Sequence, residues 1–164
     1  MPTRGYTPGL FDRLMERSSG PAAPAALRVS IEEMKDAVAR DLEALLNTRA
    51  VMPEEAFQRL PECNRSIVNY GLHDFAGLSL SSSDDRAFIC RSLEAAIARH
   101  EPRLRNVQAR LELRDDAVNR LNFAITALLV VSSSHEPVNF DAVLQPSSLH
   151  YTISKARRAA VTPT

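Results

Sequence analysis

The apolar residues along this chain recur at helical spacing in two places. The first set stands three or four positions apart and would share one helical face: Ile31, Met34, Val38, Leu42 and Leu45. Ser30 and Glu33 stand at the start of this set with the spacing of a capping box, in which each side chain bonds the backbone amide of the other residue. The pattern therefore predicts an amphipathic helix that starts at Ser30 and runs through about Asn47.

A second helix is predicted from about Ser83 to His100. Ser82 or Ser83 can cap it, the acidic pair that follows suits the positive end of the helix dipole, and Pro102 disfavours helical geometry at the residue before it. The buried face would carry Ile89, Leu93, Ala96 and Ile97. Between the two helices, over positions 48 to 82, the apolar residues no longer recur at helical spacing, and prolines and glycines are present. We therefore expect a long ordered loop with short helical turns.

From position 107 the apolar residues alternate with polar ones, which is the pattern of half-buried strands. The first strand carries Val107, Ala109, Leu111 and Leu113, and the second carries Leu121, Phe123, Ile125, Ala127, Leu129 and Val131. Leu128 and Val130 add apolar bulk on the other face, which predicts a central strand covered on both faces at that end. Shorter strands are predicted over 137–144 and 149–154. The whole pattern predicts an α+β fold, with two main helices packed on a small, mostly antiparallel or mixed sheet of about four strands.

The last predicted strand should lie at an edge of the sheet, because only a tail follows it. It consists of Leu149, His150, Tyr151, Thr152, Ile153 and Ser154. An edge strand has unpaired amide and carbonyl groups that a strand of another chain can complete. Strand addition is therefore a binding mode that this segment makes available.

Residues 1–29 are predicted to form an N-terminal extension in which prolines, glycines and alanines surround a short apolar island. The apolar side chains of the island would share one helical face: Leu10, Phe11, Leu14 and Met15. About two helical turns are not stable alone in water, so we expect the island to dock either on its own domain or on a partner. Residues 30–155 would form the folded domain, and residues 156–164 a basic C-terminal tail.

Charge and cysteine content exclude several classes of protein. The 20 basic and 20 acidic side chains cancel, so no net field favours nucleic acid or an anionic membrane. No apolar run reaches the roughly 18 residues of a membrane helix, and positions 1–20 lack the apolar core of a secretory signal. Cys63 and Cys90 share no metal-ligand spacing with the histidines, and we expect free thiols in a reducing compartment such as the cytoplasm.

Glu101, Pro102 and Arg103 stand where the second helix must give way to the first strand. Residues two apart on an extended backbone project to the same side, so Glu101 and Arg103 can form a pair on a rigid corner. The pair would either recognise a partner or bridge helix and sheet within the molecule, and residue chemistry alone does not separate these alternatives. Leu104 and Val107 have opposite parity, which predicts a bulge between them that would aim Arg103 outward.

Catalytic chemistry finds little support in the sequence. The 4 histidines are scattered, and there is no nucleophile elbow, phosphate-binding glycine loop or zinc-binding histidine pair. Glycoside hydrolysis needs two carboxyl groups about 5 to 10 Å apart, one of them protonated, and Glu101 with Glu94 or Asp74 is the best candidate pair. Arg99 and Arg103 flank Glu101 and favour its charged form. We therefore predict a protein that is not an enzyme and needs no metal, cofactor or small-molecule substrate.

A series of short motifs follows along the chain: Leu10-Phe11-Asp12-Arg13-Leu14, Leu45-Leu46-Asn47-Thr48-Arg49, the stretch SIVNYGLHDF over 66–75, Glu101-Pro102-Arg103-Leu104 and Phe140-Asp141. Their order and spacing resemble the TssE family, the baseplate subunits of type VI secretion systems. That family is in turn similar to the baseplate wedge protein of contractile phage tails. The resemblance covers about residues 8–154. His73 departs from it, because the family usually has proline before the aspartate.

The resemblance implies a structural subunit of a contractile injection system, in a cytoplasmic baseplate docked near the inner membrane. Glu101, Pro102 and Arg103 would contact the wedge bundle formed with the baseplate subunits TssF, TssG and TssK. The final strand would initiate polymerisation of the sheath subunits TssB and TssC. Family members have also been labelled lysozyme-like, so hydrolysis of peptidoglycan is the alternative function. An adaptor unrelated to secretion is a third possibility.

Overall fold

A computed structural model of the protein describes residues 6–7, 29–64, 66–75, 77–79, 81–112, 120–131 and 134–156. The helices are α1 (Ile31–Asn47), α2 (Glu54–Arg59), α3 (Pro61–Asn64) and α4 (Ser83–His100), with a 3-10 turn at Ile67–Asn69. The strands are β1 (Leu104–Glu112), β2 (Leu121–Val131), β3 (Ser134–Gln145) and β4 (His150–Lys155). The strands form one antiparallel sheet in the order β1-β2-β3-β4, which confirms the predicted α+β fold.

The helix α1 begins with the predicted capping box. The Ser30 amide donates to Glu33 Oε2 at 2.7 Å, and the Glu33 amide donates to Ser30 Oγ at 3.2 Å. These hydrogen bonds hold the pKa of the Glu33 carboxyl below its usual value, because the backbone and hydroxyl of Ser30 favour its charged form. The apolar residues of α1 then pack into the core, which includes Met34, Val38, Leu42, Leu45 and Leu46.

The sheet buries one face under the helices. Its core side chains come from alternate positions, such as Phe123, Ile125 and Leu129 on β2 and Phe140 on β3. The prediction that β2 is a central strand is confirmed by the strand order. The prediction that one end of β2 is covered on both faces is met only in part. Leu128 and Val130 are only half-buried, because α1 and α4 both pack on the opposite face.

A β-bulge interrupts β1 where the parity of the apolar residues required one. The register with β2 shifts between Arg105 and Gln108, and Asn106 has a φ of 52°. Asparagine tolerates this left-handed conformation better than most residues, because its short polar side chain can bond locally. The bulge lets Leu104 be buried and Val107 be half-buried on the same strand, as predicted.

The segment between α1 and α4 contains the predicted short helical turns and is joined to the end of α1 by two backbone hydrogen bonds. The Ala50 amide donates to the Leu72 carbonyl and the Leu72 amide donates to the Thr48 carbonyl, each at 2.9 Å. Gly71 permits this contact. Its φ is +118°, and a Cβ at this position would lie 2.5 Å from the Thr48 carbonyl oxygen. No side chain fits there without a shift of the backbone.

The termini lie largely outside the described residues. Tyr6 and Val29 form an antiparallel bridge with backbone hydrogen bonds of 2.9 and 3.0 Å. The predicted docking island with Leu10, Phe11, Leu14 and Met15, and the predicted tail beyond Ala156, fall on residues that the structure does not describe. Both described cysteines are free thiols. Within the described ranges, no helix has the length and apolar character needed to cross a membrane.

The contact at Gly71 gives a test of the fold with a matched control. Gly71→Ala should lower the free energy of unfolding by about 2 kcal/mol or more, because alanine must adopt a strained φ and displace a backbone carbonyl. Gly77→Ala should change it by less than about 1 kcal/mol, since a Cβ at Gly77 meets nothing within 4 Å. Urea unfolding followed by circular dichroism measures both values. Equal stability of the two variants would contradict this account of the loop.

Candidate functional site

The corner between α4 and β1 is built by three consecutive residues. The Glu101 amide closes the last turn of α4 with a 2.8 Å bond to the Ile97 carbonyl, and Pro102 then prevents the helix from continuing. The Leu104 amide donates to the Glu101 carbonyl at 3.1 Å, which completes a tight turn into the strand. Pro102 itself is exposed at the tip of this corner.

Glu101 is a buried carboxylate, with 5% of its surface exposed. Arg103 surrounds it with donors. The Arg103 Nε donates to Glu101 Oε1 at 2.7 Å, the Arg103 backbone amide donates to the same oxygen at 3.2 Å, and Nη2 bonds Oε2. This is the forked geometry in which a guanidinium binds a carboxylate most strongly. The Glu101 charge is therefore neutralised within the turn itself.

Arg103 also reaches the helix α1. Its Nη2 donates to Asp41 Oδ2, so one guanidinium joins residues of α1, the end of α4 and the start of β1. The pKa of Arg103 is raised, chiefly by its hydrogen bonds to Glu101 and further by the one to Asp41, and both effects oppose the lowering by burial. We call Asp41, Glu101 and Arg103 the ion cluster. It has two carboxylates and one guanidinium, and so a net charge of −1.

The ion cluster changes the interpretation of the corner. The sequence left a recognition pair and an internal bridge as equal alternatives, and the geometry favours the internal bridge for Glu101. The expectation that the bulge aims Arg103 outward is wrong, because Asp41 and Glu101 draw the guanidinium inward and leave its side chain 23% exposed. Asp41, with 44% of its side chain exposed, and Pro102 are the parts of the corner that a partner can reach.

The strand β4 lies at one edge of the sheet, as predicted. Its outward flank is nevertheless occupied. The Asn47 side chain donates to the Tyr151 carbonyl and accepts from the Tyr151 amide, both at 2.8 Å, while Glu43 Oε2 accepts from the Ile153 amide at 2.8 Å. The expectation of unpaired groups is therefore wrong at Tyr151 and Ile153. We call Glu43 and Asn47 the side-chain cap of β4.

The side chains of the predicted contact strand point alternately to the two faces of the sheet. Tyr151 and Ile153 are buried under α1, whereas His150, Thr152 and Ser154 are exposed on the other face. Leu149 precedes the strand in the turn, with a φ of 52° and 46% of its surface exposed. Its carbonyl accepts a 3.2 Å bond from Arg49. Side chains on the exposed face are thus accessible to a partner, while the backbone flank is covered by the cap.

Two of the three carboxylates considered for glycoside hydrolysis have structural roles. Glu101 is paired with Arg103, as described above. Glu94 Oε1 accepts a 2.8 Å bond from the Ala109 amide at the outer flank of β1. A glycosidase acid must give a proton to the leaving group, whereas both oxygens of Glu101 accept hydrogen bonds from Arg103. In the described part of the chain, no group of three or more His, Cys, Asp or Glu residues could hold a metal ion.

Asp41, Glu43 and Asn47 were not predicted as site residues. All three lie on α1, where a polar residue in a helical pattern is usually solvent-exposed. Their partners are 62 to 110 positions away in the sequence, so the spacing of neighbouring residues does not predict these contacts. Only Asn47 could have been identified from the sequence as a candidate site residue. It belongs to the motif Leu45-Leu46-Asn47-Thr48-Arg49, one of those on which the family resemblance rests.

Comparison with known proteins adds an independent observation. The family model described as "Baseplate wedge protein gp25" matches residues 32–134, which include α1, the ion cluster and the first two strands. The strand β4 lies beyond this span. Two curated relatives are the anti-adapter protein IraD of Escherichia coli O127:H6 and of Escherichia coli O6:H1. Each is 26% identical over 140 residues, which is 85% of this chain and 98% of the relative.

The ion cluster predicts unequal effects of its two outer members. Arg103→Met leaves the Glu101 carboxylate buried without a cation, and should lower the free energy of unfolding by about 3 kcal/mol. Asp41→Asn keeps the Glu101–Arg103 pair and removes a charge that is only partly buried, so its cost should stay below about 1 kcal/mol. Urea unfolding at neutral pH measures both variants.

The double variant Glu101→Gln with Arg103→Met provides the control. Because it leaves no charge buried, it should be more stable than Arg103→Met alone. If the double variant is instead the less stable of the two, the buried carboxylate is not what makes Arg103 necessary.

Proposed function

This chain belongs to the baseplate wedge protein gp25 family, and we propose that it serves as the TssE-type subunit of a type VI secretion system, where the contractile sheath begins to assemble. The family assigns it a structural role in a phage-tail-like baseplate, together with other baseplate proteins. The match spans the two main helices and the corner, which is the observation that carries the proposal. In this proposed role the protein would lie in a cytoplasmic baseplate docked near the inner membrane.

The corner is the proposed contact with the wedge bundle of TssF, TssG and TssK. Asp41, Pro102 and the exposed edge of Arg103 would form this surface, with Glu101 holding Arg103 in position from below. The net negative charge of the ion cluster favours a basic group on the partner. A contact built on side chains that are already fixed by hydrogen bonds loses little conformational freedom when the partner binds.

The outward flank of β4 is the proposed template for a strand of the sheath subunits TssB and TssC. Asn47 now makes the same donor and acceptor bonds to Tyr151 that the backbone of a neighbouring strand would make. An incoming strand would replace these bonds one for one, so the net change in hydrogen-bond energy is small. The side chains of Glu43 and Asn47 would have to rotate away before an incoming strand could pair with Tyr151 and Ile153.

The curated relatives are described as anti-adapter proteins, and they suggest a second candidate, a protein that acts on an adapter and takes no part in a baseplate. The observation that favours it is that helix side chains already bond backbone groups at both sheet edges, Asn47 and Glu43 on β4 and Glu94 on β1. Such a chain needs no neighbour to complete these bonds. Mass spectrometry of proteins that copurify with the tagged chain separates the two, because the first candidate requires baseplate subunits and the second an adapter.

The wedge contact can be tested at Pro102 without disturbing the ion cluster. Pro102→Trp places a bulky side chain at the exposed tip of the corner and should abolish copurification with TssF and TssG, because it blocks close approach. Pro102→Ala is the matched control, since it removes the ring without adding bulk, and it should retain the complex. Retention of the complex by both variants would place the wedge contact elsewhere.

The strand template can be tested at Lys155, whose amide has the same outward parity as those of Tyr151 and Ile153. Lys155→Pro removes this amide, whereas Lys155→Ala keeps it, and both remove the ion pairs of Lys155 with Glu32 and Asp36. Loss of one backbone hydrogen bond, worth about 1 kcal/mol, should weaken binding to purified TssB–TssC about fivefold in the proline variant relative to alanine. Equal affinities of the two variants would rule out strand addition along this flank.

A further inference from the structure

A groove runs along the side of α4 that faces away from the sheet. Residues at three- and four-residue steps share this side of the helix: Phe88, Arg91, Ser92, Ala95 and Arg99. The buried residues of α4, among them Ile89 and Leu93, lie on its other side. We call the concavity beside this face the α4 groove. It is separate from the outward flank of β4.

The opposite wall of the α4 groove comes from the segment between α1 and α4. It includes Phe57 and Leu72, which are 5% and 1% exposed and give the groove an apolar floor. The cavity has a volume of about 360 Å³. This space is large enough for one or two amino-acid side chains, and the small Ser92 and Ala95 leave the α4 wall open to a bound chain.

One large apolar side chain on the groove wall is exposed to solvent. Phe88 has 44% of its surface exposed, and it stands beside the buried floor formed by Phe57 and Leu72. An exposed aromatic side chain next to a concave surface is typical of protein interaction sites.

Two arginines give the groove its charge. Arg91 and Arg99 both line it, they are exposed, and neither forms an ion pair with another described residue. Eight residues of helix separate them by about 12 Å. The described residues that line the groove include no aspartate or glutamate. Its cationic groups are therefore not neutralised from within.

We propose that the α4 groove is a docking site for an acidic, apolar peptide segment of a partner protein. Carboxylates of that segment would pair with Arg91 and Arg99, and an apolar side chain would enter between Phe88 and the floor formed by Phe57 and Leu72. Guanidinium groups bind carboxylates with planar, bidentate geometry. The apolar floor adds apolar surface that is buried on binding, which a charge pair alone does not provide. Complementary charge identifies the occupant as acidic.

Nucleic acid fits this groove less well. Binding to a phosphate backbone relies on a track of cations that neutralises several phosphates, and this groove offers two arginines beside exposed apolar surface. The 20 basic and 20 acidic side chains of the whole chain also give no net field that would attract a polyanion. The proposal does not depend on the assignment to a secretion baseplate, because it concerns a surface that neither proposed baseplate contact uses.

The test uses the full-length protein and three synthetic probes. The first is a capped hexapeptide of four glutamates around a central leucine and phenylalanine, the second replaces the glutamates by glutamines, and the third is a hexathymidylate. Titration followed by amide NMR should show that the acidic peptide alone shifts resonances of α4 and of residues 57–73. Its affinity should fall as sodium chloride rises from about 0.05 M to about 0.5 M.

Variants connect the binding to the two arginines. Arg91→Gln with Arg99→Gln should weaken the acidic peptide about tenfold, while Arg110→Gln, which removes an exposed arginine of β1 outside the groove, should leave it unchanged. Phe88→Ser should also weaken it. The three arginines are exposed, so the urea midpoints of the arginine variants should stay at the wild-type value.

Several outcomes would overturn the proposal. They are equal binding of the acidic and glutamine peptides, equal binding by wild type and the double arginine variant, and stronger binding of hexathymidylate. A photo-crosslinker at Ala95 in native cells adds a last criterion, because the attached peptide can be sequenced. An acidic peptide supports the proposal, and a neutral or basic one contradicts it. Loss of wedge or sheath binding in the earlier variants would leave this result unaffected.

Discussion

A carboxylate that leaves water needs a cation, and Glu101 imposes this requirement at the point where α4 becomes β1. Arg103 meets it with a forked pair and, with the same guanidinium, holds Asp41 of α1. Because α1 also carries Glu43 and Asn47, the helix that is fixed to the corner is the one that closes the flank of β4. The path of the chain out of α4, the placement of α1 and the state of the sheet edge are therefore linked through one ion cluster.

The sheet edges show how a subunit can be stable alone and still accept a neighbour. An open edge would expose unpaired amides and invite uncontrolled pairing, and proteins often cover such an edge with a helix. Here the cover at β4 consists of side chains, Asn47 and Glu43, and the amide of Ala109 in β1 is covered by Glu94 in the same way. A side chain rotates far more readily than a strand unfolds. The capped groups are thus protected against chance contacts, and under the proposed function an incoming strand would exchange bonds with the cap.

The features that could be predicted from the sequence were the local ones. The capping box of Ser30 and Glu33, the end of α4 at Pro102 and the bulge in β1 each follow from residues within a few positions of one another. The contacts of Arg103 with Asp41 and of Asn47 with Tyr151 could not be predicted, since 62 and 104 positions separate the partners. The period of β2 was predicted correctly, but Leu128 and Val130 looked buried because an alternating pattern records apolarity and not the presence of a covering element.

The double role of Arg103 limits what its replacement can reveal about recognition. Because Arg103 holds a buried carboxylate, its loss would disturb folding and any contact at the corner together, so failure of assembly alone would not identify an interface. The residues that can report on recognition are exposed ones outside the ion cluster, such as Arg91 and Arg99 in the α4 groove. If these exposed positions matter for assembly while stability stays unchanged, the charge that a partner meets is separate from the charge that holds the protein together.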